Sequence, residues 1–249
     1  MNTKQLLSST ALLVLATSLS AQQRSSMKPE ETEVWSPVPR VVTLSSVDNV
    51  PSDAIVLFDG TSATEWVSAD NSSQPIEWTI ADGALTVAPG KGGIRTKREF
   101  TDFQLHIEWR APSVVKGDGQ GRGNSGIFMQ GLYELQVLDS YENPTYPNGQ
   151  AASLYKQKIP LVNATRSPGE WQTYDVIWTA PRFNKDGVLI SKARITVLHN
   201  GVLVQNNVEL DGATEFIGLP KYSAHGPGPI MLQDHGDLVS FRNIWIREL

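Results

Sequence analysis

No cysteine occurs in the 249 residues. That excludes a disulfide framework and removes the thiolate as nucleophile or metal ligand, so the fold has to rest on its own apolar core. No run of lysine or arginine appears either. With a formal net charge of −5 and a pI near 5.4, the chain lacks the clustered cations that displace counterions from nucleic acid or hold a protein on anionic lipid. Long apolar stretches are missing too: Ala11 to Ala16 (ALLVLA) is far shorter than the ~20 residues of a spanning helix. Sustained helical periodicity is scarce. No repeat of about 20 to 50 residues is visible, which counts against a propeller or a β-helix.

What is present begins with an address. Lys4, the short run ALLVLA and the small residues Ser18 to Ala21 read as a bacterial signal peptide over residues 1–21, cleaved after Ala21. With no cysteine for lipid attachment, the expected product is soluble, periplasmic or secreted, and without a membrane anchor. Residues 22–50, polar and interrupted by Pro29, Pro37 and Pro39, read as a linker or N-terminal arm. Residues 51–249 read as one domain. Short β-rich runs alternate there with Gly, Pro, Asn and Asp, and Asn200-Gly201 between ITVLH and VLVQN is a hairpin signal because both central residues of a type I′ turn need positive φ. The predicted fold class is all-β, a sandwich or barrel.

Strand alternation then sorts side chains by face. In Phe103 to Arg110, Phe103, Leu105, Ile107 and Trp109 form the core side; Gln104, His106, Glu108 and Arg110 form the other. In Tyr133 to Asp139, Tyr133, Leu135 and Val137 turn inward, Glu134 and Gln136 turn outward, and Asp139 ends the strand. Gln130, at the end of the preceding run, is expected beside them. Outer faces of Glu, Gln, His and Arg offer fixed donors and acceptors suited to sugar hydroxyls.

Five stretches carry a more specific likeness. Ile55-Val-Leu-Phe-Asp-Gly60 with Trp66, Gly123 to Phe128, Tyr133 to Asp139, Pro168 to Asp175, and Gly228 to Gly236 followed by Phe241 to Arg247 resemble, in order, the 3-keto-disaccharide hydrolase domain family, formerly domain of unknown function 1080. The resemblance runs from about Asp53 to Leu249. It implies a concanavalin-A-like jelly-roll β-sandwich of two antiparallel sheets, a concave sheet that holds a sugar, and cleavage of 3-keto-glycosides.

The chemistry of such a substrate sets what the site needs. A C3 carbonyl acidifies the proton on C2, so a base can form an enolate that expels the group on C1. That requires a base near C2, a donor or metal over the C3 oxygen and an acid for the leaving oxygen. Glu108 and Glu134 are the expected carboxylates, with an ion pair to Arg110 as the plainer alternative. His235, at a strand end, is a further acid or base. Arg110, Asn124, Gln130, Gln136, Asp139, Tyr155 and Gln233 are expected to line the sugar. No cofactor is demanded; if a divalent metal is bound, His106, Glu108 and Glu134 are its expected ligands.

The expected partner is a sugar or glycoside, with a separate oxidoreductase to install the 3-keto group. The rival reading is a non-catalytic, lectin-like carbohydrate-binding module. A laminarinase-like glycosidase fits less well, because Glu134-Leu-Gln-Val-Leu-Asp139 departs from the Glu-x-Asp-x-x-Glu strand of that group. Gly117 to Gly123 looks like a phosphate loop, but no helix follows it, and a flexible hairpin loop is the expectation.

Overall fold

The computed structural model describes residues 27–46 and 48–249; the predicted signal peptide lies outside them. One compact unit ends at Val41, and within it Pro29–Thr32 makes a single 3-10 turn. The other spans Val42–Leu249. Val42 to Val50, read from the sequence as part of the arm, belong to this larger unit: Ser52 N donates to Thr43 O at 2.8 Å and Ser45 N to Val50 O at 2.9 Å.

Fifteen strands are described: β1 Ile55–Phe58, β2 Trp66–Ser68, β3 Thr79–Ala81, β4 Ala84–Thr86, β5 Ile94–Thr96, β6 Phe103–Arg110, β7 Ser125–Met129, β8 Tyr133–Val137, β9 Gln172–Thr179, β10 Arg182–Phe183, β11 Leu189–Ser191, β12 Arg194–His199, β13 Val202–Glu209, β14 Met231–Leu232 and β15 Ser240–Glu248. They form an eight-stranded sheet in the order β13-β12-β9-β6-β15-β4-β3, with β1 also on β15, and a five-stranded sheet in the order β2-β5-β14-β7-β8; β10 and β11 pair separately. All pairings are antiparallel. The all-β sandwich of two antiparallel sheets is thus the fold.

Alternation fixes the core as expected. Phe103, Leu105, Ile107 and Trp109 of β6, Tyr174, Val176 and Trp178 of β9, and Ile127, Met129, Leu135 and Val137 of β7 and β8 are all fully buried, each contributing about 1.5 to 3 kcal/mol of transfer free energy. Asn200 (φ 52°) and Gly201 (φ 79°) make the foreseen β12–β13 turn. The short strands β2, β5, β10 and β11 carry too few residues for a period and were not foreseen. Two of them complete the smaller sheet.

Two local features set the surroundings of Glu134 and Glu108. β8 is an edge strand, and its free edge is capped: Gln136 N donates to Ser153 O (3.0 Å), Tyr155 N to Glu134 O (3.3 Å) and Glu134 N to Thr214 Oγ1 (2.9 Å). Capping protects the edge from foreign strands and draws residues 152–155 and 214 alongside Glu134. On β15, the register slips between Arg242 and Trp245, with Asn243 at φ 45°. This bulge aims both Arg242 and Asn243 at β6.

Candidate active site

The outer face of the five-stranded sheet is built in two rows. Glu134 of β8 lies opposite Phe128 of β7, which lies opposite Met231 of β14, which lies opposite Arg95 of β5. In the next row Gln136 faces Gly126, and Gln233 N donates to Gly126 O at 3.0 Å. Gly126 leaves a gap in this floor. A Cβ there would stand 2.5 Å from Glu134 Oε1 and 2.9 Å from the Phe128 ring, so the missing side chain is what leaves space for the carboxyl group.

Glu134 is only 6% exposed, and among the described residues its carboxyl group has no hydrogen-bond or ion-pair partner. Burial alone raises its pKa from 4.5 to about 8, because a charged carboxylate in this setting loses its hydration and gains nothing in return. The Tyr155 hydroxyl meets that of Tyr146 at 2.7 Å. Burial, the Tyr146 hydroxyl and the nearby Glu134 carboxylate all hold the Tyr155 proton in place.

Gln136 Nε2 donates to Asn124 Oδ1 (3.1 Å) and Gln120 Oε1 (3.4 Å), and Asn124 Nδ2 donates to Gln120 O (2.7 Å). Asn124 N donates to Asp237 Oδ2 at 2.8 Å. Three buried polar atoms on or beside this floor, Gln136 Oε1, Gln233 Oε1 and Arg95 Nε, have no protein partner. Unsatisfied buried groups are rare in folded proteins and mark places where a polar ligand can complete the hydrogen bonding.

The structure therefore brings together Glu134, Gln136, Asn124, Tyr155 and Gln233, and separates the others. Glu108, expected beside Glu134, lies on the outer face of the other sheet, because β6 and β8 belong to opposite layers and both residues point away from the shared core. There its carboxylate takes Arg242 Nε at 2.7 Å and Asn243 Nδ2 at 3.0 Å, and His106 stands at 3.9 Å. Burial disfavours the charge, but these three partners outweigh it and bring the pKa down to about 2. The partner is Arg242 rather than Arg110, which instead stacks its guanidinium 4.5 Å over Trp171.

The remaining expectations are corrected by local backbone. Gln130 has φ 53°, which ends the alternation, and its Nε2 donates to Phe100 O at 3.1 Å rather than facing the Glu134 floor. Asp139 lies past the end of β8 and holds Arg122 Nε at 2.7 Å. His235 is exposed, in the loop after β14; the strand ends at Leu232, so the parity that grouped it with Gln233 does not reach it. Asp234 and Asp237 pin that loop to Gly92 N and Asn124 N.

The ligand set His106, Glu108 and Glu134 is not assembled, being divided between the two sheets. Among the described residues no cluster of three or more His, Asp or Glu could hold a metal ion. The glycine-rich stretch is also no loose hairpin: Gly119–Gly121 forms a 3-10 turn whose Gln120 donates through Nε2 to Gly149 O at 2.9 Å.

Arg95, Phe128, Met231, Gly126 and Gln120 were missed. Alternation in Ile94-Arg-Thr96, with the outer two buried, was the available signal for Arg95. A separate cavity of about 590 Å³ lies at the strand ends, lined by Arg110, Lys116, Arg122, Asp139 and Asp237. Its Asp139 is already paired with Arg122 and its Asp237 with Asn124 N, so the unpartnered Glu134 makes the floor of the five-stranded sheet the better candidate.

The fold is a concanavalin-A-like sandwich with a polar, incompletely hydrogen-bonded floor on one sheet. The family is then settled by likeness along the chain. A model of the 3-keto-alpha-glucoside-1,2-lyase-like domain matches residues 53–247, and the chain belongs to this carbohydrate-active family. A protein of Bacteroides thetaiotaomicron named 3-keto-disaccharide hydrolase is 28% identical over 257 aligned positions, covering 80% of this chain and 81% of that protein. A solved structure from Parabacteroides distasonis, described as a candidate glycosyl hydrolase, superposes with TM-score 0.86 at 52% identity over 90% of this chain and 98% of its own. A second candidate glycosyl hydrolase from that organism, 20% identical, covers 79% of this chain and 94% of its own at TM-score 0.59 and shares the fold.

Proposed function

We propose that the chain cleaves 3-keto-glycosides on the outer face of the five-stranded sheet, with Glu134 as the base. The observation that carries this reading is a buried, unpartnered carboxyl group whose pKa of about 8 lies near working pH, where a general base is most effective. Glu134 takes the C2 proton; the C–H electron pair becomes the C2–C3 double bond and the C3 oxygen takes the negative charge. Collapse of that enolate forms the C1–C2 double bond and expels the C1 oxygen, which the proton held by Glu134 can neutralise. Addition of water across the new double bond would complete a net hydrolysis.

Arg95, across the floor, supplies the donor for the C3 oxygen. The two residues are three strand spacings apart, about 14 Å between backbones, which a sugar ring and two side chains can bridge. Gln136, Gln233 and Asn124 hold hydroxyls on this reading, which the unsatisfied Gln136 Oε1 and Gln233 Oε1 support. The family's description as lyase-like and the Bacteroides relative's name as a hydrolase agree with a route in which both outcomes begin by losing the same proton. On this reading a separate oxidoreductase installs the 3-keto group, and the leader read at residues 1–21 carries the enzyme out of the cytoplasm.

The test is turnover of 3-keto-trehalose followed by product analysis. Glu134→Gln is expected to lower kcat about a thousandfold while sugar binding persists, and wild-type kcat/KM should rise with pH to a plateau above about 8. Saturable sugar binding with no product from any 3-keto-glycoside would instead make the chain a binding module and overturn the proposal.

A further inference from the structure

We infer that the loop from Ala213 to Lys221 is a subsite for an aromatic leaving group; this rests on the reading of Glu134 as the base. The loop leaves the sheet beside that residue. Thr214 N donates to Leu132 O and its Oγ1 accepts from Glu134 N, both at 2.9 Å, and Ala213 N donates to Lys221 O at 3.0 Å to pinch the base shut. Gly212 (φ 151°) lies so close to Lys221 that a Cβ there would collide with its backbone. The root of the loop is therefore rigid and fixed to the catalytic strand.

Its tip presents apolar surface to solvent. Phe216, Ile217 and Leu219 are 69%, 82% and 87% exposed, three large side chains within four positions. Scattered exposed apolar residues are ordinary, whereas a contiguous group at the rim of a polar site is the signature of a ligand surface.

The tip is joined to the floor by one side chain. Lys156 Nζ donates to Phe216 O at 2.7 Å and stands 4.3 Å from the Phe216 ring and 5.6 Å from the Tyr155 ring, and Tyr155 is the residue whose hydroxyl feels the Glu134 carboxylate. An aromatic ring attached through the C1 oxygen would leave the floor on this side. It would meet Phe216 edge or face, cover Ile217 and Leu219, and share the Lys156 ammonium, contacts that favour an aromatic over a small alkyl group.

The experiment compares kcat/KM for 3-keto-glucosides bearing a phenyl or a methyl aglycone. Wild type is expected to prefer the phenyl substrate at least tenfold. The preference should fall at least fivefold, mostly through KM, in a Phe216→Ser, Ile217→Ser, Leu219→Ser variant, and by a smaller factor in Leu219→Ser alone. Wild-type turnover of both substrates without preference, or a preference that survives in the folded triple variant, overturns the subsite and leaves the Glu134 reading standing. A change in oligomeric state with no change in preference also overturns it, in favour of a second copy of the chain as occupant. Turnover of neither substrate by wild type overturns the underlying reading, and the subsite falls with it.

Discussion

Glu108 and Glu134 are the same residue type at matching positions on strands of similar pattern, yet their acidities are driven in opposite directions. Glu108, with Arg242, Asn243 and His106 around it, is held at about 2. A carboxylate so stabilised is a poor proton acceptor at any physiological pH. Glu134, buried without a partner, rises to about 8. Alternation showed that both side chains leave the core; it carried no information on what awaits them, because Arg242 and Asn243 reach Glu108 from more than a hundred positions away and the Glu134 carboxyl group meets no partner among the described residues.

The Glu108 cluster has its own measurable consequence. His106 is stacked on Trp245 at 5.2 Å and paired with Asp175 at 2.7 Å. Burial opposes its charge, but Asp175 and Glu108 outweigh burial and raise its pKa from 6.5 to about 9. A raised folded-state pKa means the folded protein holds the proton more tightly than the unfolded chain. The stabilisation is therefore complete below about 6.5 and lost as the pH rises through about 9. Because Asp175 is 39% exposed, solvent screening limits the effect to about 1 kcal/mol. His106→Gln is expected to lower Tm by a few degrees at pH 6 and by less above pH 9.5, as thermal melts across that range would show.

At the scale of elements, the site depends on the short strands and on one glycine. β7 needs Gly126 because Glu134, diagonally across the ladder, leans its carboxyl group, the proposed base, over that position. Gly126→Ala would place a methyl group against Glu134 Oε1 and the Phe128 ring, an overpacking cost of about 1 to 3 kcal/mol. Its larger effect is displacement: moving a catalytic group by about 1 Å can cost a hundredfold in rate. The variant should retain its circular dichroism spectrum while kcat falls by about that factor; unchanged kcat would show that the carboxyl group is not working where it stands. Elements also explain the errors. Gln130 was placed by extending a strand one residue too far, and a single left-handed φ undid the placement. Arg95 was overlooked because a three-residue strand behind Gly90 to Gly93 has almost no period to read.

At the scale of the whole molecule, the two sheets share a single apolar interior although the proposed chemistry uses only one of them. Trp178 of β9, in the larger sheet, is fully buried and lies 6.4 Å from Phe103 and 5.1 Å from Tyr133 of β8, in the smaller. Trp178→Ala is expected to cost about 3 to 5 kcal/mol. Loss of turnover and loss of near-ultraviolet circular dichroism should shift to lower urea together. If turnover instead held to the wild-type midpoint, the smaller sheet would be stable by itself and the shared core would be the wrong description.

The amino-acid order by itself determined the all-β class, the inward and outward faces of the long strands, the β12–β13 turn and the family, since these depend on neighbours along the chain: period, turn chemistry and motif order. The tertiary structure decided which faces adjoin. The floor is assembled from β8, β7, β14 and β5, whose residues come from positions near 134, 126, 232 and 95, and no local pattern specifies that order. Strand pairing is chosen by burying both sheets against each other at once, and that global condition put Glu134 on its own, Glu108 beside Arg242 and His106, and Arg95 in the same row as Glu134 with Met231 and Phe128 between them.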